Sequence, residues 1–395
     1  MQHARLLIAS LALLLSSSLA AAELGLPNRL QLHGFVSQGA VQTSRNRFYG
    51  NSPRTSLDFT EIGLNASWRL SPRLLLAGQV LSRRAGDMSD GWPEIDFALA
   101  DIALLARNDA RAGIRLGRLK NRLGLYNETR DVPFTHPGIF LPQVVYFDKV
   151  RNLVLATDGV QLHGELYPSF GTLSATLASG RPVVDDNVEA ALLRGALPGD
   201  IEPRKNSWQA SLWFHSPTER IKFGLSGAAI ALRQDWTLTR ATPQLDLLYW
   251  IASAQYNAEH WSFSSEYMGL PLRGRDFQPL RPDIDQTSEG YYAQLTYRPS
   301  PPFELMLRYE EGFADRDDRN GRALERLSQG LIARQAGSSR ILSVGLRWDL
   351  SRHWMLRTEY QRHIGSFILS EIENPNLLEH DKHWDLFAVQ AAFRF

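Results

Sequence analysis

The chain ends on WDLFAVQAAFRF, and along that stretch the side chains change character at every step. Phe387, Val389, Ala391, Phe393 and Phe395 fall on one side; Leu386, Ala388, Gln390, Ala392 and Arg394 fall on the other. Alternation of period two marks a strand with one apolar face. Upstream segments repeat it. In 341–350, Leu342, Val344, Leu346, Trp348 and Leu350 oppose Ser343, Gly345, Arg347 and Asp349. In 303–310, Phe303, Leu305, Leu307 and Tyr309 oppose Glu304, Met306, Arg308 and Glu310. Segments 208–215, 261–268, 291–298 and 354–363 read the same way. A water-soluble sandwich also alternates, but it hides its apolar face between sheets. Here Trp and Tyr recur beside the turns, as in the aromatic girdles of a barrel that crosses a membrane, and the charged face suits a watery lumen.

Composition removes the other classes. Ten Trp, twelve Tyr and eighteen Phe are too many aromatics for a disordered chain. With no cysteine there is no disulfide scaffold and no thiolate metal site. Past the first twenty residues no apolar run approaches the ~20 residues a spanning helix needs. Residues 1–22 read as a secretory signal: MQHAR is basic, LLIASLALLLS is apolar, and Ala20, Ala21 and Ala22 form a small-residue cleavage site before Glu23. Absence of cysteine suits an exported chain. Among 43 basic and 42 acidic residues the signal removes only Arg5, so the mature chain 23–395 is balanced. Nothing in that balance steers it towards nucleic acid.

Short, polar or Pro-containing turns are expected at 71–73, 107–110, 168–171, 216–219, 257–260, 299–302 and 351–353. Seven such turns, with both chain ends on the same rim, imply sixteen strands. Poor alternation near 95–106 and 221–239 leaves fourteen or eighteen open. The opposite connections are longer: 43–54, 86–93, 121–152, 182–205, 235–243, 274–287, 313–337 and 366–383. Short turns on one rim and long loops on the other are the outer-membrane pattern. The expected fold is therefore all-β, a transmembrane antiparallel β-barrel of sixteen strands with no second domain.

The third long connection, 121–152, is too long for a simple link and too rich in Leu, Tyr, Phe, Ile and Val for disorder. Its apolar residues need a surface, and the barrel's inner wall is near, so it is expected to fold inward as a constriction. A lid over the neighbouring loops is the alternative. Loop segments 186–196 and 321–335 carry apolar residues at roughly helical spacing.

LQLHGFVSQG (30–39) and GRLKNRLGLYNETRD (117–131), with the terminal strand, resemble the phosphate-selective porin O and P family. The resemblance covers the mature chain in layout, with its motifs in those stretches. It implies sixteen-stranded, typically trimeric porins with an inward third loop. Gly117, Lys120 and Gly124 match that family's pattern after the fifth strand, while Arg122 stands where it has Pro. Phosphate-selective members line the pore with lysines; this chain has only Lys120, Lys149, Lys205, Lys222 and Lys382. The resemblance thus implies a porin without implying phosphate. A C-terminal Phe with an aromatic two residues before it, here Phe393 and Phe395, looks like the signal that barrel-assembly machinery reads.

The expected function is passive diffusion of small hydrophilic solutes across a bacterial outer membrane, with no cofactor and no metal. Pore and constriction candidates are Arg83, Arg115, Arg118, Lys120, Arg122, Glu128, Arg130, Asp131, Arg308, Arg347 and Arg357. Within 118–131 the cations exceed the acids by two, which leans selectivity towards anions. Inward Glu61, Glu165, Glu266, Glu304, Glu310 and Glu359 offer salt-bridge partners instead. Arg118 and Lys120 fall in phase with outward Ile114 and Leu116, so either the strand ends near Gly117 or a bulge turns them inward. Expected partners are the solute, outer-membrane lipid and lipopolysaccharide, and two further copies in a homotrimer. A channel for an apolar or aromatic solute is the nearest alternative. A barrel hydrolase is the other, but inward His163, His215 and His363 have no nucleophile or paired carboxylate at identifiable spacing.

Overall fold

The computed structural model describes residues 29–193, 200–235, 242–277 and 283–395. Its strands are β1 (Leu30–Thr43), β2 (Ser56–Ser71), β3 (Leu74–Ala85), β4 (Asp90–Ala106), β5 (Ala110–Lys120), β6 (Ala156–Leu166) and β7 (Thr172–Pro182). There follow β8 in two pieces (Asp200–Pro203 and Ser207–His215), β9 (Ile221–Asp235), β10 (Gln244–Asn257), β11 (Trp261–Arg275) and β12 (Ile284–Ser300). The last are β13 (Phe303–Phe313), β14 (Ser338–Asp349), β15 (Trp354–Gly365) and β16 (His383–Arg394). Both pieces of β8 pair with β9, so they count as one strand, and β1 pairs with both β2 and β16. The result is a closed antiparallel barrel of sixteen strands. Closure leaves no open edge, which a sheet in lipid requires.

All seven short turns lie where the sequence puts them. Three are fixed by a serine that caps the returning backbone. Ser71 Oγ accepts from Leu74 N at 3.1 Å, Ser216 Oγ from Ile221 N at 3.0 Å and Ser351 Oγ from Trp354 N at 3.1 Å. The weakly alternating 90–106 and 221–235 are both strands. β4 reads badly because its pairing with β3 slips between Gln79 and Val80 and again between Ser82 and Arg84. Each bulge shifts the period by one.

Exposure is inverted relative to a soluble domain. Outward Leu212, Leu307 and Val344 are exposed, while inward Gln361, Ser343 and Glu359 are buried. Among the described residues no helix is long and apolar enough to cross a membrane. Helices occur only in connections: α1 (Arg151–Leu155), α2 (Asp186–Leu193) and α3 (Arg322–Leu327). Loop segment 186–196 is helical to Leu193 and then leaves the described residues; 321–335 is helical only to Leu327, with a 3-10 turn at Arg334–Gly337. The export signal expected at 1–22 lies outside the described residues.

Candidate functional site

The connection between β5 and β6 folds into the barrel. Its backbone forms three single-turn 3-10 pieces, Asn127–Thr129, Pro133–Thr135 and Asp148–Val150, before α1. A loop without a ladder must find other partners for its buried N–H and C=O groups. Here side chains of the wall supply them. Ser226 Oγ accepts from Gly124 N at 2.9 Å, and Glu266 accepts from Leu125 N at 2.8 Å and from the Tyr146 hydroxyl at 2.5 Å. Glu359 accepts from Ile139 N at 2.6 Å and Phe140 N at 3.2 Å; Glu310 accepts from Val144 N at 3.4 Å. Tyr249 donates to the Val145 carbonyl, Arg308 to the Phe140 carbonyl at 3.1 Å, and Arg357 to the His136 carbonyl at 3.0 Å and that of Gly138.

Apolar burial adds to this seating. Leu123, Ile139, Phe140, Val144, Val145 and Phe147 are buried, each stabilising the seated loop by ~1.5–3 kcal/mol relative to exposure. These contacts tie the loop to strands β9 to β15. Arg308 and Arg357, expected on the pore surface, are therefore sealed beneath the loop at 1% exposure. Arg308 is held between Glu310 (2.7 Å) and Glu359 (3.1 Å). Arg347, nearer the short-turn rim, pairs with Asp349 at 2.9 Å and donates to the Phe134 carbonyl at 3.3 Å.

On its other side the loop meets β2 to β5 through charge. The wall offers Glu61, Arg83, Asp96 and Lys120; the loop offers Arg130, Asp131 and Asp148, and α1 offers Arg151. Lys120 contacts Asp96 at 2.5 Å and Asp131 at 2.7 Å, and Arg151 binds the same Asp131. Asp148 takes Arg130 at 2.9 Å, Arg83 at 3.5 Å and the Tyr49 hydroxyl; Arg83 also faces Glu61 at 3.6 Å. Burial pushes the Asp131 carboxyl up, but Arg151, Lys120 and Arg130 pull it well below the usual range. Asp148 is lowered in the same way, burial being outweighed by Arg83 and Arg130. Four cations thus meet four carboxylates. Within the junction the cavity measures about 30 Å³, roughly the share of one water, while Arg83, Asp96, Asp148 and Arg151 also line a wider cavity of about 470 Å³ beneath the long connections.

The remaining candidates separate. Arg115 faces inward, bonded to Asp101 at 2.9 Å and Gln161 at 3.0 Å. Arg122 reaches Ser174 Oγ at 3.0 Å and Glu128 at 3.5 Å, and lies over the Trp213 ring at 5.3 Å. Arg118 keeps the outward phase of its strand, yet it lines the cavity of about 470 Å³ together with Arg83, Asp96, Asp148 and Arg151. The β5–β6 register runs unbroken to Lys120↔Ala156, so no bulge turns it, and it pairs with outward Asp158 at 2.8 Å. Lys120 shares that phase but lies beyond the last β4–β5 rung, Ala98↔Arg118. Where those strands part, its ammonium reaches the junction. Gly117 allows the parting: its φ is +124°, and a Cβ there would stand 2.2 Å from the Ala98 carbonyl.

Asp148, Arg151, Asp96 and Tyr49 escaped the sequence reading. The only signal for two of them was the charged run DKVR at 148–151 closing the loop. Inward histidines are occupied structurally: His163 faces Asp101 at 2.9 Å, His215 faces Glu219 at 3.0 Å, and His363 stacks on Trp384 at 3.7 Å. Among the described residues no group of three or more His, Asp or Glu is placed to hold a metal.

Neither a protein-family model nor a curated protein sequence matches the chain. Solved structures do. The outer-membrane channel DcaP of Acinetobacter baumannii superposes with a TM-score of 0.60 at 11% identity, covering 93% of this chain and 97% of that one. The fold is that of the outer-membrane porins. OmpF of Salmonella typhi, solved with daunomycin, gives 0.57 at 13% identity over 93% and 97%. An anion-selective porin from Comamonas acidovorans gives 0.55 at 12% over 93% and 99%. OmpT of Vibrio cholerae, solved as a trimer, gives 0.55 at 11% over the same shares.

Proposed function

We propose that this protein is a passive channel of the bacterial outer membrane for small hydrophilic solutes, with its aperture set where loop 121–152 meets β2 to β5. The observation that carries this reading is the balanced ion-pair junction at the barrel's middle. Beside the Phe59–Phe140 stack its contacts are ion pairs, whose partners water and a hydrophilic solute can replace. On this reading the long-loop rim is extracellular and the short-turn rim periplasmic. The export signal at 1–22, the assembly signal at Phe393 and Phe395, a lipopolysaccharide-facing outer surface and a homotrimer belong to the same proposal. So does kinship with the phosphate-selective porin O and P family.

The anion lean narrows under this geometry. It loses Arg308 and Arg357 to the loop's underside and Arg118 to its pair with Asp158, leaving Arg115, Arg122 and Arg347, each beside an acid, and Arg83, Lys120 and Arg130 within the balanced junction. The channel is accordingly proposed to discriminate weakly by charge. Reversal potential across a planar bilayer in a salt gradient tests it: a value near zero is expected, and strong preference for either sign overturns it. A hydrolase is not favoured, because the inward histidines face acids or aromatic rings rather than a nucleophile.

A further inference from the structure

A cavity of about 550 Å³ opens at the long-loop mouth, within the ~300–1,000 Å³ typical of small-molecule sites. Its walls come from the loop's Phe147 and Val150, the upper strands (Leu247, Leu270, Leu272, Ile284), and the outer connections carrying Leu324 and Phe367. This is a greasy surface to find above a hydrophilic channel. Behind Phe147, Val150 and Leu192 it continues into a second pocket of about 40 Å³ lined by apolar residues and the Tyr249 ring. Phe147 and Phe367 meet edge to face at 5.2 Å and form part of the floor.

The polar groups in this lining have a sign. Among the described lining residues the acids are Asp283, Asp285, Asp315, Asp318 and Glu371, against one lysine or arginine, Lys149. Lys149 Nζ is engaged with the Phe367 carbonyl at 2.8 Å, the Leu369 carbonyl at 3.2 Å and Glu371 Oε1 at 3.2 Å. His380 also lines the cavity, and burial pushes its imidazole below the ordinary value. Glu371 is the exception to good pairing. Its side chain is nine-tenths buried, and its Oε2 has no hydrogen-bond partner. An unsatisfied buried carboxylate oxygen is costly, and a donor brought by a ligand would relieve it.

We propose that this cavity binds an amphipathic ammonium, a small molecule with an apolar or aromatic body and a protonated amine that donates to Glu371. Phe147, Lys149 and Val150 flank Asp148, so the occupant rests on the segment that carries a junction carboxylate. The inference deepens the channel reading by naming a solute class. It rests on that reading only for the consequence of binding, not for the binding itself.

Tryptamine, tryptophol and indole-3-propionate share an indole body and carry a positive, neutral and negative end. Their affinities for the purified protein in detergent are to be measured by calorimetry, beside single-channel current. Tryptamine is expected to bind about tenfold more tightly than tryptophol and more tightly still than indole-3-propionate. Glu371→Gln should bring tryptamine down to the level of tryptophol. Ala323→Trp, which fills the cavity from α3, should weaken all three probes while leaving the conductance unchanged. Preference for the propionate, equal binding of all three with no effect of Glu371→Gln, indifference to Ala323→Trp, or no binding overturns the site. Ordered binding without any channel current upholds the site and overturns the channel reading; current without binding does the reverse.

Discussion

Arg308 lies on an inward face, as its alternation with Leu307 and Tyr309 requires, yet water does not reach it. Inward phase is local; cover is not, because the carbonyl it holds belongs to Phe140, 168 residues away. Removing the guanidinium leaves Glu310 and Glu359 buried without their cation. Arg308→Met should therefore destabilise the seated loop by about 3–5 kcal/mol. The expected readout is a lower temperature for loss of the folded band on unheated gels, with noisier single-channel current. His136 is the other telling residue. Its ring contacts the Gly138 carbonyl at 2.8 Å, and burial, aided by the Arg357 charge, pushes it down to about 3. It is neutral in the fold, whereas an unfolded histidine protonates near pH 6.5, so the unfolded state binds more protons between those values. Stability is complete above about pH 6.5 and falls as pH drops towards 3, by up to roughly 5 kcal/mol. His136→Gln should flatten that part of the pH profile of thermal unfolding; an unchanged slope would place the sensitivity elsewhere.

Strands and turns were legible because each carries its own signal: a period, a serine cap, a proline. The loop's inward course was legible from its length and its content of Leu, Tyr, Phe, Ile and Val. Its partners were not, since Tyr49 comes from the first long connection and Asp96 from a bulged strand, and their meeting with the loop's Asp148 and Asp131 is a property of closure. The parting of β4 from β5 was equally hidden, because the bulges that cause it erase the period that would reveal it. The closing seam shows a different kind of fit. The Phe395 ring lies over Gly34, where a Cβ would stand 2.5 Å from the ring, and Gly34 and Phe395 exchange backbone hydrogen bonds at 3.0 and 3.3 Å. Gly34→Val should displace that ring and lower the yield of folded barrel, measured by the folded band after refolding into detergent. At the opposite rim Glu373 accepts from Tyr49 N at 2.8 Å, Gly50 N at 2.5 Å and Asp87 N at 3.3 Å, tying three connections together. Glu373→Ala leaves those donors unmet and should cost about 1–3 kcal/mol in the same assay.

At the scale of the whole molecule, charge is sorted rather than accumulated. Outward ion pairs such as Arg340–Glu311 (2.5 Å) and Arg362–Asp385 (2.6 Å) ring the long-loop rim, and the junction inside is balanced four against four. A near-neutral sequence total says nothing about either arrangement. The loop is held to β9–β15 by apolar burial and backbone capture, and to β2–β5 by the ion pairs with the Phe59–Phe140 stack (5.7 Å) beside them, so the second seam, with the larger ionic share, is the one that yields. Single-channel current in a planar bilayer, wild type against Arg151→Ala, tests this most directly. Arg151 contributes to no strand and supports Asp131 from the loop side. The account predicts a small conductance for the wild type and one larger by about twofold or more for the variant, with the folded band retained. Equal conductances in two folded proteins would contradict it.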